Sequence, residues 1–106
     1  MFVRILRMQL KPDGAKAFAR TIDDEVVPVL NKVAGFAGQV TMVSNDGKEA
    51  VGISLWDRKE SAETYRKERF AAVLKALEKH VEEKPDLRTY EVTNITFEKL
   101  LGRKAA

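Results

Sequence analysis

The chain of 106 residues contains no cysteine and a single histidine, His80. Without cysteine, disulfides, thiolate nucleophiles and cysteine-bound metal centres are excluded. One histidine excludes a multi-histidine metal site built within one chain, so no metal is expected. Long apolar runs are missing too. Nothing approaches the ~18 residues of a membrane-spanning helix, and no membrane partner is expected. The first residues enter a strand-like pattern at once, without a signal-peptide layout, so the cytoplasm is the expected location. Asn94-Ile95-Thr96 matches the glycosylation sequon, which carries no weight without a secretory signal. An excess of one charge is also lacking. Nineteen Lys and Arg stand against sixteen Asp and Glu, for a net charge of +3, and the two signs are interspersed. No basic stripe or nucleic-acid motif is present, so no nucleic-acid partner is expected.

What is present is an ordinary globular composition, 44% hydrophobic and 33% charged. One domain is expected over residues 1–100, with a short frayed tail at 101–106. Residues 2–10, "FVRILRMQL", have the density of Val, Ile, Leu and Phe expected of a strand. Pro12-Asp13-Gly14 ends it, and Asp13 is placed to cap the next helix. From Ala15 to Val33 the apolar residues Ala15, Phe18, Ala19, Ile22, Val26, Val29 and Val33 recur at helical steps. Pro28 interrupts the amide ladder, so a kink or restart is expected near Val27. Gly35 stands where a helix C-terminus favours a left-handed residue, and Phe36 follows as its apolar contact.

Residues 38–44 and 50–56 flank Asn45-Asp46-Gly47, a strong turn signal, and form the expected hairpin. Asp57 and Glu60 have capping-box spacing at the start of a helix that runs through Tyr65. Phe70, Val73, Leu74, Leu77 and Val81 form a second helical face. Pro85-Asp86 stops it, and residues 88–97 read as the last strand. The order β-α-β-β-α-β predicts an α+β, ferredoxin-like fold: a four-stranded antiparallel sheet with both helices on one face.

Alternation then assigns the two sheet faces. Leu6, Met8, Val40, Met42, Val51, Ile53, Leu55, Tyr90 and Val92 are expected under the helices. Val3, Ile5, Arg7, Gln39, Thr41, Val43, Ala50, Gly52, Ser54, Trp56, Glu91, Thr93 and Ile95 are expected on the opposite face. That second set is too apolar for open water, yet Arg7 and Glu91 need partners in a dry core. A homodimer closed through this face meets both demands, with Arg7 and Glu91 pairing within or across subunits.

The segments "VVPVLNKVAGFAGQV", "ISLWDRKESAETYRKERF" and "RTYEV" resemble the antibiotic biosynthesis monooxygenase-like domain, over residues 2 to about 97. Pro28, Gly35-Phe36, Trp56 and Tyr65 carry the resemblance. It implies the dimeric α+β barrel, and it spans several activities: cofactor-free oxygenases, haem-degrading enzymes, isomerases of signal molecules and proteins of unknown role. Haem-degrading members use an Asn on the first strand, a Trp on the helix after the third strand, and a His further along. The matching positions here are Leu6, Tyr65 and Leu74. Leu74 cannot ligate iron, which argues against haem degradation.

Five residues are candidates for a site. In the catalytic reading, Tyr65 donates a hydrogen bond to a ligand between sheet and helices, and His80 acts as general base with an unperturbed pKa near ~6.5. Arg7, Trp56 and Glu91 are the candidate ligand-binding residues. Each also has a structural reading: His80 as a surface residue, Tyr65 as packing, Arg7 with Glu91 as a register-fixing pair, Trp56 as a seal at a strand end. Three functions stay open. One is a cofactor-independent monooxygenase or isomerase acting on a small apolar, aromatic or quinone-like molecule. The second is a small-ligand-binding module without turnover, and the third a dimeric interaction domain. The first needs no cofactor, and it needs one or two polar groups in an apolar cavity of roughly 300 Å³ or more.

Overall fold

The structure is a computed structural model that describes residues 1–96. The expected tail at 101–106 lies outside the described residues. Four strands form one antiparallel sheet: β1 (Phe2–Gln9), β2 (Phe36–Val43), β3 (Glu49–Trp56) and β4 (Asp86–Glu91). Their order is β2-β3-β1-β4, so the hairpin lies at one side and β1 is central. Helices α1 (Ala15–Thr21) and α2 (Val27–Leu30) fill the first crossover, and α3 (Lys59–Glu68) and α4 (Phe70–Glu78) fill the second. This is the expected α+β, ferredoxin-like fold. No helix among the described residues is long and apolar enough to cross a membrane.

Local chemistry explains most boundaries. The hairpin turns at Asn45-Asp46-Gly47, where Gly47 takes φ +74°. Asp46 Oδ1 accepts from the Ser44 hydroxyl at 2.6 Å and the Lys48 amide at 3.0 Å. Between α1 and α2 the α-helix is interrupted and restarts at Val27, as expected. It widens into a π-helical turn, Ile22–Val26, just ahead of Pro28. Pro28 has no N–H to continue the α-ladder, and such wide turns absorb the missing bond. The buried apolar residues consequently fall every fourth position, at Phe18, Ile22, Val26 and Leu30. Ala19, expected on this face, is exposed. Strand β4 ends at Glu91, earlier than the expected residue 97.

Both predicted caps differ from the structure. Gly14 precedes α1 without a side-chain cap, and Asp13 adopts φ +58°. Arg58, not Asp57, precedes α3, again without a side-chain cap. Asp57 is drawn instead to the loop before β2: its amide donates to the Gly35 carbonyl at 2.8 Å. A Cβ on Gly35 would collide with Ser61 and with the Asp57 carboxylate, and Gly35 has φ +86°. Glycine is therefore required here twice over, by conformation and by space.

The largest correction concerns the sheet faces. β1 pairs with β3 so that Phe2, Arg4, Leu6 and Met8 lie opposite Trp56, Ser54, Gly52 and Ala50. This set lies under the helices, because Phe2, Met8, Ala50 and Trp56 belong to the core with Phe18, Val26, Tyr65 and Leu77. β2 follows with Phe36, Gln39 and Thr41 opposite Trp56, Ser54 and Gly52. The expected faces hold for Val3, Ile5, Arg7, Leu6 and Met8 on β1 and are inverted on β2, β3 and β4. Val40, Met42, Val51, Ile53, Leu55 and Tyr90 form the outer face. Apolarity misled the assignment, because both faces of β3 are apolar enough to be covered. A break in register between Phe36 and Gly38 also offsets the alternation of β2.

Candidate functional site

Four residues cross the inner face of the sheet in one row. Gln39 on β2 stands opposite Ser54 on β3, Ser54 opposite Arg4 on β1, and Arg4 opposite Thr89 on β4. In the next row Thr41, Gly52, Leu6 and Leu87 align in the same way. Gly52 has no side chain, and a Cβ there would meet only Met8 Cε, at 3.9 Å. The absent side chain leaves a space between sheet and helices. It is a partly open cavity of about 60 Å³, floored by Arg4, Leu6, Gln39, Thr41, Gly52 and Ser54. Ile22, Val26 and Leu30 wall it on one side, and Tyr65, Phe70, Val73 and Leu77 on the other, with Leu87 beside them. The volume is well below that of a drug-sized ligand site and holds a few waters or a small fragment.

The polar floor is partly engaged. The Thr41 hydroxyl donates to Gln39 Oε1 at 2.8 Å. The Trp56 indole N–H donates to Ser54 Oγ at 3.0 Å, which leaves the Ser54 proton free to donate in turn. Arg4 is different. It is 5% exposed, yet its Nη2 has no hydrogen-bond partner among the described residues. No carboxylate among them forms an ion pair with it. Its guanidinium lies 4.6 Å from the Phe70 ring centroid and 5.3 Å from that of Tyr65. Cation–π attraction offsets part of the desolvation, each contact contributing about 0.5–2 kcal/mol. Burial lowers the Arg4 pKa, opposed by the charges of Tyr65 and Glu63. A guanidinium nevertheless stays protonated at any physiological pH.

Tyr65 projects from α3 into this cluster. Its ring stacks on Trp56 at 4.9 Å, and its pKa is pushed up to about 12, mainly by burial. At neutral pH it is therefore a hydrogen-bond donor and not a base. Trp56 is fully buried, with Phe36 edge-on at 5.5 Å. It backs Tyr65 and orients Ser54 without lining the cavity itself.

The other candidates lie elsewhere. His80 follows α4 and is half-buried. Its Nε2 is 2.8 Å from the Thr21 hydroxyl and its ring is edge-on to Phe18. Desolvation and Lys79 lower its pKa, and Glu25 opposes them. The fold does not bring His80 to the cavity. Arg7 is exposed on the outer face and bridges Glu49 at 3.0 Å. Glu91 is exposed on the edge strand and aligns with Phe2, on the inner-face side of β4. Arg7 and Glu91 are thus on opposite faces and do not pair within the chain. Arg4, Gln39, Thr41, Gly52 and Ser54 were not foreseen as site residues. Alternation alone places Arg4 on the same face as Leu6 and Met8, and that signal was available in the sequence.

The fold is that of the antibiotic biosynthesis monooxygenase proteins. One similar structure is a monooxygenase from the ActVA-Orf6 gene of Streptomyces coelicolor, solved with the ligand nanaomycin D. It is 17% identical over 90% of this chain and 89% of its own, with a TM-score of 0.76. A mutant of SnoaB, a cofactor-independent oxygenase from Streptomyces nogalater, is 12% identical over 89% and 94%, with a TM-score of 0.75. NE2512, a protein of unknown function from Nitrosomonas europaea, is 14% identical over 90% and 91%, with a TM-score of 0.74. No protein-family model and no curated protein matches the chain. At these identities the likeness establishes the fold, which serves oxygenases and proteins of unknown function alike.

Proposed function

We propose that the cavity between sheet and helices binds a small planar aromatic or quinol-like molecule, and that the chain oxidises it without a cofactor. The carrying observation is the space left by Gly52, with a polar floor and apolar and aromatic walls. That combination buries a ring and fixes its orientation through one or two hydrogen bonds. The oxygenases of the same fold add weight by analogy. In such a reaction the substrate supplies the electrons. One oxygen atom of O₂ enters the ring position and the other leaves as water. The residues bind, orient and exclude solvent, with Tyr65 donating a hydrogen bond to a substrate oxygen. A one-ring ligand exceeds the present space, so the Leu87 side chain at the cavity would swing aside on binding.

A screen of quinols with oxygen-consumption readout tests this reading. Tyr65→Phe should slow turnover about tenfold, the size of one lost hydrogen bond to a developing charge. His80→Ala should leave turnover unchanged, because the imidazole is outside the cavity. Binding of such molecules without oxygen consumption would leave a ligand-binding module and remove the enzyme.

The outer sheet face supports a second proposal, that two copies close over it. Val40, Met42 and Tyr90 are 37, 45 and 51% exposed, beside Ile5, Val51 and Ile53. A contiguous apolar face of this kind marks an interface, and twofold pairing is the commonest way to cover it. Light scattering should give twice the chain mass of 12.0 kDa. A monomer mass at micromolar concentration would refute the proposal.

A further inference from the structure

The cavity contains one cation and, among its lining residues, no carboxylate, imidazole or lysine. Nothing there can take a proton from a substrate near neutral pH, since Tyr65 is held protonated to about pH 12. Yet Arg4 is buried, protonated and short of one acceptor at Nη2. A charged donor left unpaired in a low-dielectric site is costly, and natural structures rarely retain one without use. The missing acceptor is therefore the feature that identifies the ligand.

We infer that the site captures its ligand as a planar oxyanion, a phenolate or enolate, whose single charged oxygen accepts from Arg4 Nη2. The inference rests on the cavity being the binding site. Three observations lead to this ligand class. The apolar walls reject a strongly hydrated anion such as phosphate. The guanidinium carbon lies 5.3 Å from the Tyr65 ring centroid and 4.6 Å from that of Phe70, so a ligand oxygen that reaches Arg4 brings its own flat body against aromatic surface. Nη2, fully buried and without a partner among the described residues, is matched by a single charged oxygen on a flat ligand. Arg4 then replaces a general base: by binding the ionised form it lowers the pKa of the bound ligand, and the proton leaves to water. An electron-rich anion is also the form that gives up electrons to O₂ most readily, which joins this inference to the proposed reaction.

4-Nitrophenol tests it, because the phenol ionises near neutrality and its phenolate absorbs in the visible. 4-Nitroanisole is its neutral counterpart of nearly equal shape. Titrations of the full chain should show 4-nitrophenol bound as the yellow phenolate, with its pKa lowered by about one unit, a tenfold preference for the anion. 4-Nitroanisole should bind at least about tenfold more weakly on the same scale. Arg4→Met should abolish both the shift and the preference, and Arg4→Lys should restore part of each. Thermal unfolding of each variant shows whether it is folded.

Equal binding of the two probes to the wild-type chain would overturn the oxyanion assignment and leave the cavity as a neutral ligand site. An undiminished preference in folded Arg4→Met would overturn it as well. Failure of both probes to bind at millimolar concentration would overturn the assignment together with the cavity reading.

Discussion

The two faces of the sheet invert the usual expectation. The inner face, under the helices, carries Arg4, Gln39, Thr41 and Ser54. The outer face carries Val40, Met42, Ile53 and Tyr90, with Tyr90 51% exposed. A sheet built only for stability would put the second set inside. On the proposals above, the polar patch within the inner face serves a ligand and the apolar outer face serves a subunit contact. The proposed difference of use is tested at each face by substitutions that should leave the other intact.

The largest effect should come from the inner face at Trp56. Trp56→Ala removes a fully buried ring that supports Tyr65 and Phe36, and should cost about 3–5 kcal/mol in denaturant unfolding. Met42→Arg on the outer face should change single-chain stability by no more than about 0.5 kcal/mol while halving the mass seen by light scattering. A Trp56→Ala cost below that of an exposed residue would dissolve the contrast.

Next in size is Gly52→Val. Its added atoms enter open space, so the fold should survive, but ligand affinity should fall at least about 100-fold, near 2.7 kcal/mol. Isothermal titration with any quinol that binds the wild-type chain is the measurement. Unchanged affinity would move the binding site elsewhere.

A smaller effect is expected away from both faces. Thr21→Val removes the hydrogen bond to His80 and should cost about 1 kcal/mol, without touching either ligand binding or mass.

The pH dependence has two signs to check. Tyr65 titrates near pH 12 in the fold and near ~10 when unfolded, so the native state keeps the proton. Its contribution is complete below pH ~10 and is lost as pH rises toward 12. His80 is shifted the other way, so the native state favours the neutral ring. Its contribution is present above pH ~6.5 and fades as the solution is acidified through its lowered pKa. Urea midpoints across pH should show both edges, the alkaline one removed in Tyr65→Phe and the acidic one softened in His80→Gln.

The legibility of the site followed the same division. Tyr65 was readable, because helical spacing and its place after Trp56 aim it at the sheet. Trp56 was readable as a strand-end residue but was set on the wrong face. Arg4 was overlooked because a charged residue in an apolar run suggests solvent, although its parity with Leu6 and Met8 placed it inside. Arg7 and Glu91 looked like partners because both were assigned to one face. Pairing of β1 with β4 aligns Arg7 with Asp86 and Glu91 with Phe2, which separates them.

The order of strands and helices, the hairpin turn and the glycine at position 35 were determined by the sequence alone. They depend on short-range physics: periodicity, turn chemistry and the conformations that single residues permit. Which sheet face meets the helices was decided only by the tertiary structure, and with it the residues of the candidate site. Alternation divides each strand into two sets but does not say which set is covered. That depends on the pairing register and on contacts between residues tens of positions apart, such as Arg4 with Phe70.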